Sequence, residues 1–226
     1  MVLWKKQFIT VRIILLKSQS SAMASPTMTM ASAFTALRTP TWPKSGALAS
    51  TTMANRYKIE CDGLTILDLN APGYTMLHWL TILLENREFD TSAPLAAEAK
   101  EYLMNTFHLD YKSADIIIGY RADDSYFSFA SDFINGAISY RQLCNAMRLG
   151  KLGQQFVLKS KAAFEQLEFL GYETADSKEW YKKKAFRDQT ARRQYFDVER
   201  NRRQRGDLYI TTILDEEMKP NDPRLR

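Results

Sequence analysis

The chain has 226 residues, of which 45% are apolar and 25% charged, a balance that argues for a globular protein and against collagen-like, wholly disordered and membrane-spanning classes. Two cysteines, Cys61 and Cys144, cannot staple a secreted miniprotein and fit a reducing compartment, so a cytoplasmic location is expected. Two histidines, His78 and His108, with no CxxC or HExxH, leave no zinc motif, and no metal is expected.

The net charge of +5 is unevenly spread. Residues 1–59 hold eight basic residues and no acid; all 26 acidic residues and the other 23 basic ones follow, so the body of the chain carries −3. Three readings of the opening segment compete. A secretory signal is argued against by Arg12, which interrupts the apolar stretch Phe8–Leu16, far shorter than the ~20 residues of a spanning helix. An organelle transit peptide fits the acid-free, Ser/Thr/Ala/Met-rich run Ser18–Thr52. The third reading is a displaced reading frame. Ala22–Ala33 has neither a helical nor a strand period, and methionine's single codon constrains what a shifted frame can spell. Over Phe8–Arg12 that frame can read Tyr-His-Gly-Ser, and over Thr27–Ala36 it can read Asn-Asp-Tyr-Gly, then two residues where the Ser32 codon allows either the Lys or the Gly of a Lys-Gly pair but not both, then Phe-Tyr-Cys. Residues 1–54 are therefore expected to be disordered and outside the domain.

Folding patterns begin at Asn55. Tyr57–Glu60 and Leu64–Leu69 read as two short strands around the turn Asp62-Gly63. Leu77, Leu80 and Leu84 predict a buried helix over about 75–88, and Pro94 opens a second that runs to about Phe107. Ala114–Gly119 is a β-branched run that predicts a buried strand. Asp123 and Asp124 form a carboxylate pair, but Asp123 is more simply the N-cap of a helix closed by Gly136. Ser139-Tyr140-Arg141-Gln142 is a capping box whose helix is expected to end near Gly150. Phe156–Lys159 predicts a strand, Ser160 caps a helix through Leu167, and Glu168–Tyr172 predicts a last strand. A long charged helix is expected over 177–205. It holds ten basic residues between Lys182 and Arg205, with aromatics among them. Cations and rings together would suit nucleic acid, whereas a solvated helix with docked aromatics explains the irregular spacing more simply. The tail Met218–Arg226 is expected to fray.

No GxxxxGK[ST], GxGxxG or GxSxG occurs, and His78 and Cys144 read as core residues. Four segments carry a resemblance: Ala114–Asp124, Phe133–Ser139, Lys151–Val157 and Lys161–Phe164. In order and spacing they resemble a bacterial family known as domain of unknown function 3990, over about Asn55–Tyr172. That family looks like a distant branch of the ADP-ribosyltransferase fold. The resemblance implies an α+β fold with a split, mostly antiparallel β-core, here N-terminally incomplete over 55–172, followed by a helical extension over 173–226.

The resemblance also implies chemistry. A first-motif His and a second-motif Tyr would grip NAD as co-substrate, and a third-motif Glu or Gln would engage the nicotinamide ribose. Gln155 matches the third motif by position; residues alone leave it equally readable as a solvent-facing residue of an edge strand. The Tyr-His-Gly-Ser and Gly-Lys-Gly-Phe-Tyr segments of the family are missing here; the shifted frame can spell the first, and the second except for one residue of its Lys-Gly pair. The expectation is therefore an ADP-ribosyltransferase-like protein that is inactive as translated and lacks the strands bearing those motifs. Family members also suggest a small cognate partner of the antitoxin kind. The alternative is a non-enzymatic module that binds nucleic acid or protein through the basic helix Lys182–Arg205.

Overall fold

The computed structural model describes residues 8–13, 34–37, 53–120, 124–149, 154–174 and 177–226. The chain divides into two compact units. One holds residues 1–68, 111–119 and 153–187, and the other 69–110, 120–152 and 188–226.

The first unit is built on seven strands: β1 (Phe8–Ile13), β2 (Phe34–Leu37), β3 (Met53–Glu60), β4 (Ile66–Asp68), β5 (Ile116–Tyr120), β6 (Gln154–Leu158) and β7 (Leu167–Thr174). Their order across the sheet is β4-β5-β6-β2-β1-β3-β7. The β1–β2, β1–β3, β2–β6 and β3–β7 pairs are antiparallel, and β4–β5 is parallel. The mixed α+β class is the one the sequence predicts.

Of the opening segment, Phe8–Ile13 and Phe34–Leu37 stand in the middle of the sheet as β1 and β2. Strand pairing is a main-chain interaction, so a β-branched run such as Phe8–Ile13 can fill the ladder without a His or Tyr. The rest of residues 1–52 lies outside the described residues. The two runs around Asp62-Gly63 do not pair: the turn closes through Leu64 N–H to the Cys61 carbonyl at 3.2 Å, but β3 and β4 sit near opposite ends of the sheet.

Side chains alternate across a strand, so each face of the sheet can be read row by row. On one face Ile59, Ile116, Ile118, Phe156 and Leu158 form a core with Ala163 of the short helix α5 (Lys161–Glu165). Ser160 caps that helix, accepting from Ala163 N–H at 3.1 Å. The helix is one turn and ends at Glu165, because β7 starts at Leu167 opposite Ile59. The apolar rows continue outward along β3 and β7 through Tyr57–Phe169, whose ring centroids are 5.3 Å apart.

The second unit is helical. Helix α1 (Met76–Asn86) is buried along most of its length, and Thr75 and His78 close its first turn. Helix α2 (Pro94–Thr106) opens on the predicted proline and closes at Phe107. Helix α3 (Asp124–Ile134) ends at Gly136, whose φ of +72° makes the left-handed turn. Ala137 N–H reaches back to the Asp132 carbonyl at 2.8 Å there, and a Cβ on Gly136 would stand 3.1 Å from Leu95. Asp123 lies outside the described residues, so the cap assigned to it does too.

Helix α4 (Tyr140–Ala146) carries the predicted capping box, with Gln142 Oε1 accepting from Ser139 N–H at 2.8 Å. It ends four residues before Gly150, itself outside the described residues. The long charged helix is shorter than predicted. Helix α6 (Ser177–Arg193) passes into one stretch of π-helix, Gln194–Glu199, and the chain then turns.

The tail, expected to fray, is folded onto this unit after α7 (Ile210–Asp215). A 3₁₀ turn over Pro223–Leu225 buries Leu225 to 1% exposure, and Tyr140 Oη–H donates to the Leu225 carbonyl at 2.8 Å. Met218 and Leu225 supply apolar anchors that outweigh the two tail prolines.

Candidate functional site

Gln155 stands second in β6, an interior strand, and is half-buried. The solvent-facing edge-strand reading is thereby corrected. Phe156 and Leu158 point into the α5 core, so Gln155 and Val157 face the opposite side of the sheet. Gln155 pairs with Leu37, Leu37 with Arg12, and Arg12 with Arg56. Along that face the side chains turn from apolar to charged. Ile117 and Val157 are buried, whereas Arg56 and Lys58 lie further along, with Lys58 Nζ 3.3 Å from Glu168. That exposed pair adds little stability.

A hollow of about 140 Å³ beside β3 and β7 is lined by Lys58, Glu60, Glu165, Gln166, Leu167 and Glu168. Small-molecule sites usually run from about 300 to 1,000 Å³. Among the described residues no group of three or more His, Cys, Asp or Glu side chains could hold a metal ion.

The chain's two histidines both belong to the helical unit. His78 is 4% exposed. Its Nδ1 accepts from Thr75 N–H at 2.9 Å, and its ring packs edge-on against Tyr74 and Phe107. Burial lowers its pKa. His108 lies at the surface, 3.3 Å from Glu85. Neither is on a strand of the sheet. Cys144 is held as a thiol, its pKa pushed up to about 11 by burial, so it is no nucleophile at neutral pH. His78 is the core position the sequence suggests, whereas Cys144 is only partly buried. Asp124 opens α3, as a residue in the first turn of a helix.

The basic C-terminal region splits in two ways. Of its aromatics, Tyr195 docks completely, its ring 4.0 Å from that of Phe129, while Phe186 and Phe196 remain exposed. The structure also shows a clamp that sequence reading missed. Arg141 Nε and Nη2 donate to the two carboxylate oxygens of Asp207 at 2.8 and 2.9 Å, and Nη2 also donates to the Arg202 carbonyl at 2.7 Å. The Asp207 carboxyl is held below its ordinary range chiefly by this Arg141 contact, and the Arg141 pKa is raised in turn. Partners 66 positions apart leave no periodic signal; the one local sign is Gly206, which ends the arginine-rich run.

Among the described residues no helix is long and apolar enough to cross a membrane. No curated protein and no solved structure matches the chain. One family model does, entering in the N-terminal segment and leaving within β7: it covers residues 31–169, more than half of the chain, and the chain therefore belongs to the family described as protein of unknown function DUF3990.

Proposed function

We propose that this DUF3990 domain is an ADP-ribosyltransferase-like fold and that the chain as translated does not transfer ADP-ribose. The observation that carries the first part is the place of Gln155, half-buried at the opening of an interior strand of a mostly antiparallel sheet. Breaking the glycosidic bond of NAD builds positive charge at the ribose C1′, and a polar group fixed at such a position can orient that ribose. Gln cannot serve as a carboxylate base.

The second part rests on what accompanies Gln155. The residues as they stand do not fit NAD. Both histidines are in the helical unit, and neither stands on a strand of the sheet that carries Gln155. One amide is not an NAD grip, so no transfer step is assigned to these residues.

A calorimetric titration with NAD should give no binding in the micromolar range; a micromolar Kd would overturn the inactivity. The nucleotides of codons 1–60 test the displaced frame separately. They should spell Tyr-His-Gly-Ser over codons 8–12 and, over codons 30–35, Gly, one of the Lys-Gly pair, and Phe-Tyr, one base over and without a stop. The family match already begins at residue 31, inside that stretch. If the codons do not spell these motifs, the frame reading is lost and Phe8–Ile13 and Phe34–Leu37 are strands of the domain as encoded.

A further inference from the structure

The turn after the π-helix reads Arg200-Asn201-Arg202-Arg203-Gln204-Arg205-Gly206. Four like charges in seven residues repel one another. Here the turn's backbone is tied down from the inside. Gln142 Nε2 donates to the Glu199 and Arg200 carbonyls at 2.6 and 3.0 Å, and Arg141 donates to the Arg202 carbonyl. Asp207 Oδ2 accepts from Gln204 N–H at 2.8 Å, and Arg202 N–H and Arg203 N–H bond to Glu199 and Asn201 carbonyls at 3.2 and 3.0 Å. Gly206, at a φ of +83°, makes the exit turn.

Of the carboxylates beside the loop, Asp197 is exposed, whereas Asp207 and Glu199 are already engaged. Asp207 is paired with Arg141, and Glu199 Oε1 accepts from Asn145 Nδ2 at 2.9 Å. Arg202, Arg203 and Arg205 are exposed, and among the described residues no ion pair is recorded for any of them. The loop is thus a rigid backbone presenting three guanidinium groups outward.

An aromatic ring adjoins it. Asn201 Nδ2 donates to the Phe196 carbonyl at 2.9 Å, and the Arg200 guanidinium lies 5.7 Å from the centroid of the Phe196 ring, which is 46% exposed.

We propose that this loop and Phe196 form a docking surface for single-stranded nucleic acid, with phosphates on Arg202, Arg203 and Arg205 and a base against Phe196. Guanidinium forks match phosphate oxygens, and an exposed ring beside a cationic groove is the arrangement that holds an unpaired base. The partner's charge is set by complementarity. The single-stranded form is set by the ring, which a duplex with its bases stacked inside could not use. The surface lies on the helical unit and does not depend on the NAD reading.

The test is fluorescence anisotropy of the full chain with a labelled single-stranded 20-nucleotide oligonucleotide across a salt series. The triple variant Arg202→Gln/Arg203→Gln/Arg205→Gln should bind roughly 10- to 100-fold more weakly at low salt. Its log–log salt slope should be shallower by about 2 to 3, at roughly 0.7 to 0.9 per phosphate contact. Its melting curve should match the native one, since the replaced groups are exposed. Phe196→Ala should weaken single-strand binding at least about fivefold and leave duplex binding alone. Arg141→Lys keeps the charge but loses the fork, and should weaken binding with an unchanged slope.

Four results would overturn the proposal. These are no binding at low salt, equal loss on neutralising Lys182, Lys183 and Lys184 instead, duplex bound as tightly with no dependence on Phe196, or polyglutamate competing as well as the oligonucleotide. The last would point to an acidic protein partner.

Discussion

His78 does the work that Glu or Gln usually does at the third position of a helix, accepting the N-cap amide while Thr75 accepts from the first turn. The Thr75 amide can only donate, so Nδ1 must stay unprotonated and the ring neutral. Its pKa in the folded chain lies below the ordinary 6.5 because it is buried. The unfolded chain therefore binds the proton more readily. The associated stability is fully present above about pH 6.5 and is lost as pH falls from there toward the lowered value. Melting temperatures between pH 5 and 7.5 should show that fall in the native protein. His78→Gln, which can keep the capping bond, should flatten it; an unchanged slope would assign the pH dependence to another group. At this scale the sequence was informative about type and not about role. An apolar-face histidine reads as core, and nothing in its neighbours announces that it caps.

Elements with local start signals were the most legible. Pro94 opens α2, Ser139 and Gln142 box α4, and Ser160 caps α5, each where the sequence places it. The boxed pair is fully buried, and Gln142 also holds the chain after the π-helix. Ser139→Ala should cost about 1 to 2 kcal/mol, read from the urea midpoint, since it removes the cap and leaves a buried amide short of a partner. A midpoint shift below the measurement error would mean that the cap bond is replaced by water.

Element ends were less legible than element starts. The charged helix runs on in sequence past Glu199, because arginine and glutamine are good helix formers. It stops in the structure because Gln142 and Arg141 draw the carbonyls of residues 199, 200 and 202 toward themselves.

At the scale of the whole molecule the sheet has unlike edges. β4 is three residues long, whereas β7 has eight and exposes Phe169 at 54% and Tyr172 at 60%. A long edge strand with exposed rings is a template for pairing with other chains. A bulge opposite Arg56 and Tyr57, with Gly171 at a φ of +129°, blunts it only in part. Tyr172→Lys should lower the light scattering of concentrated solutions at neutral pH without lowering the melting temperature. Unchanged scattering would place the self-association elsewhere.

By itself, the sequence determined the mixture of helices and strands, most helix starts, the buried role of His78 and the uneven charge, because these depend on period, capping chemistry and composition within short windows. Tertiary structure alone decided that Phe8–Ile13 and Phe34–Leu37 lie at the centre of the sheet, that Gln155 is interior, that Leu225 anchors the tail and that an arginine loop is held rigid. Each of these depends on a main-chain or side-chain partner far away in the chain. Local pattern carries no record of such pairings, and the bonds that make them form only once the chain has closed on itself.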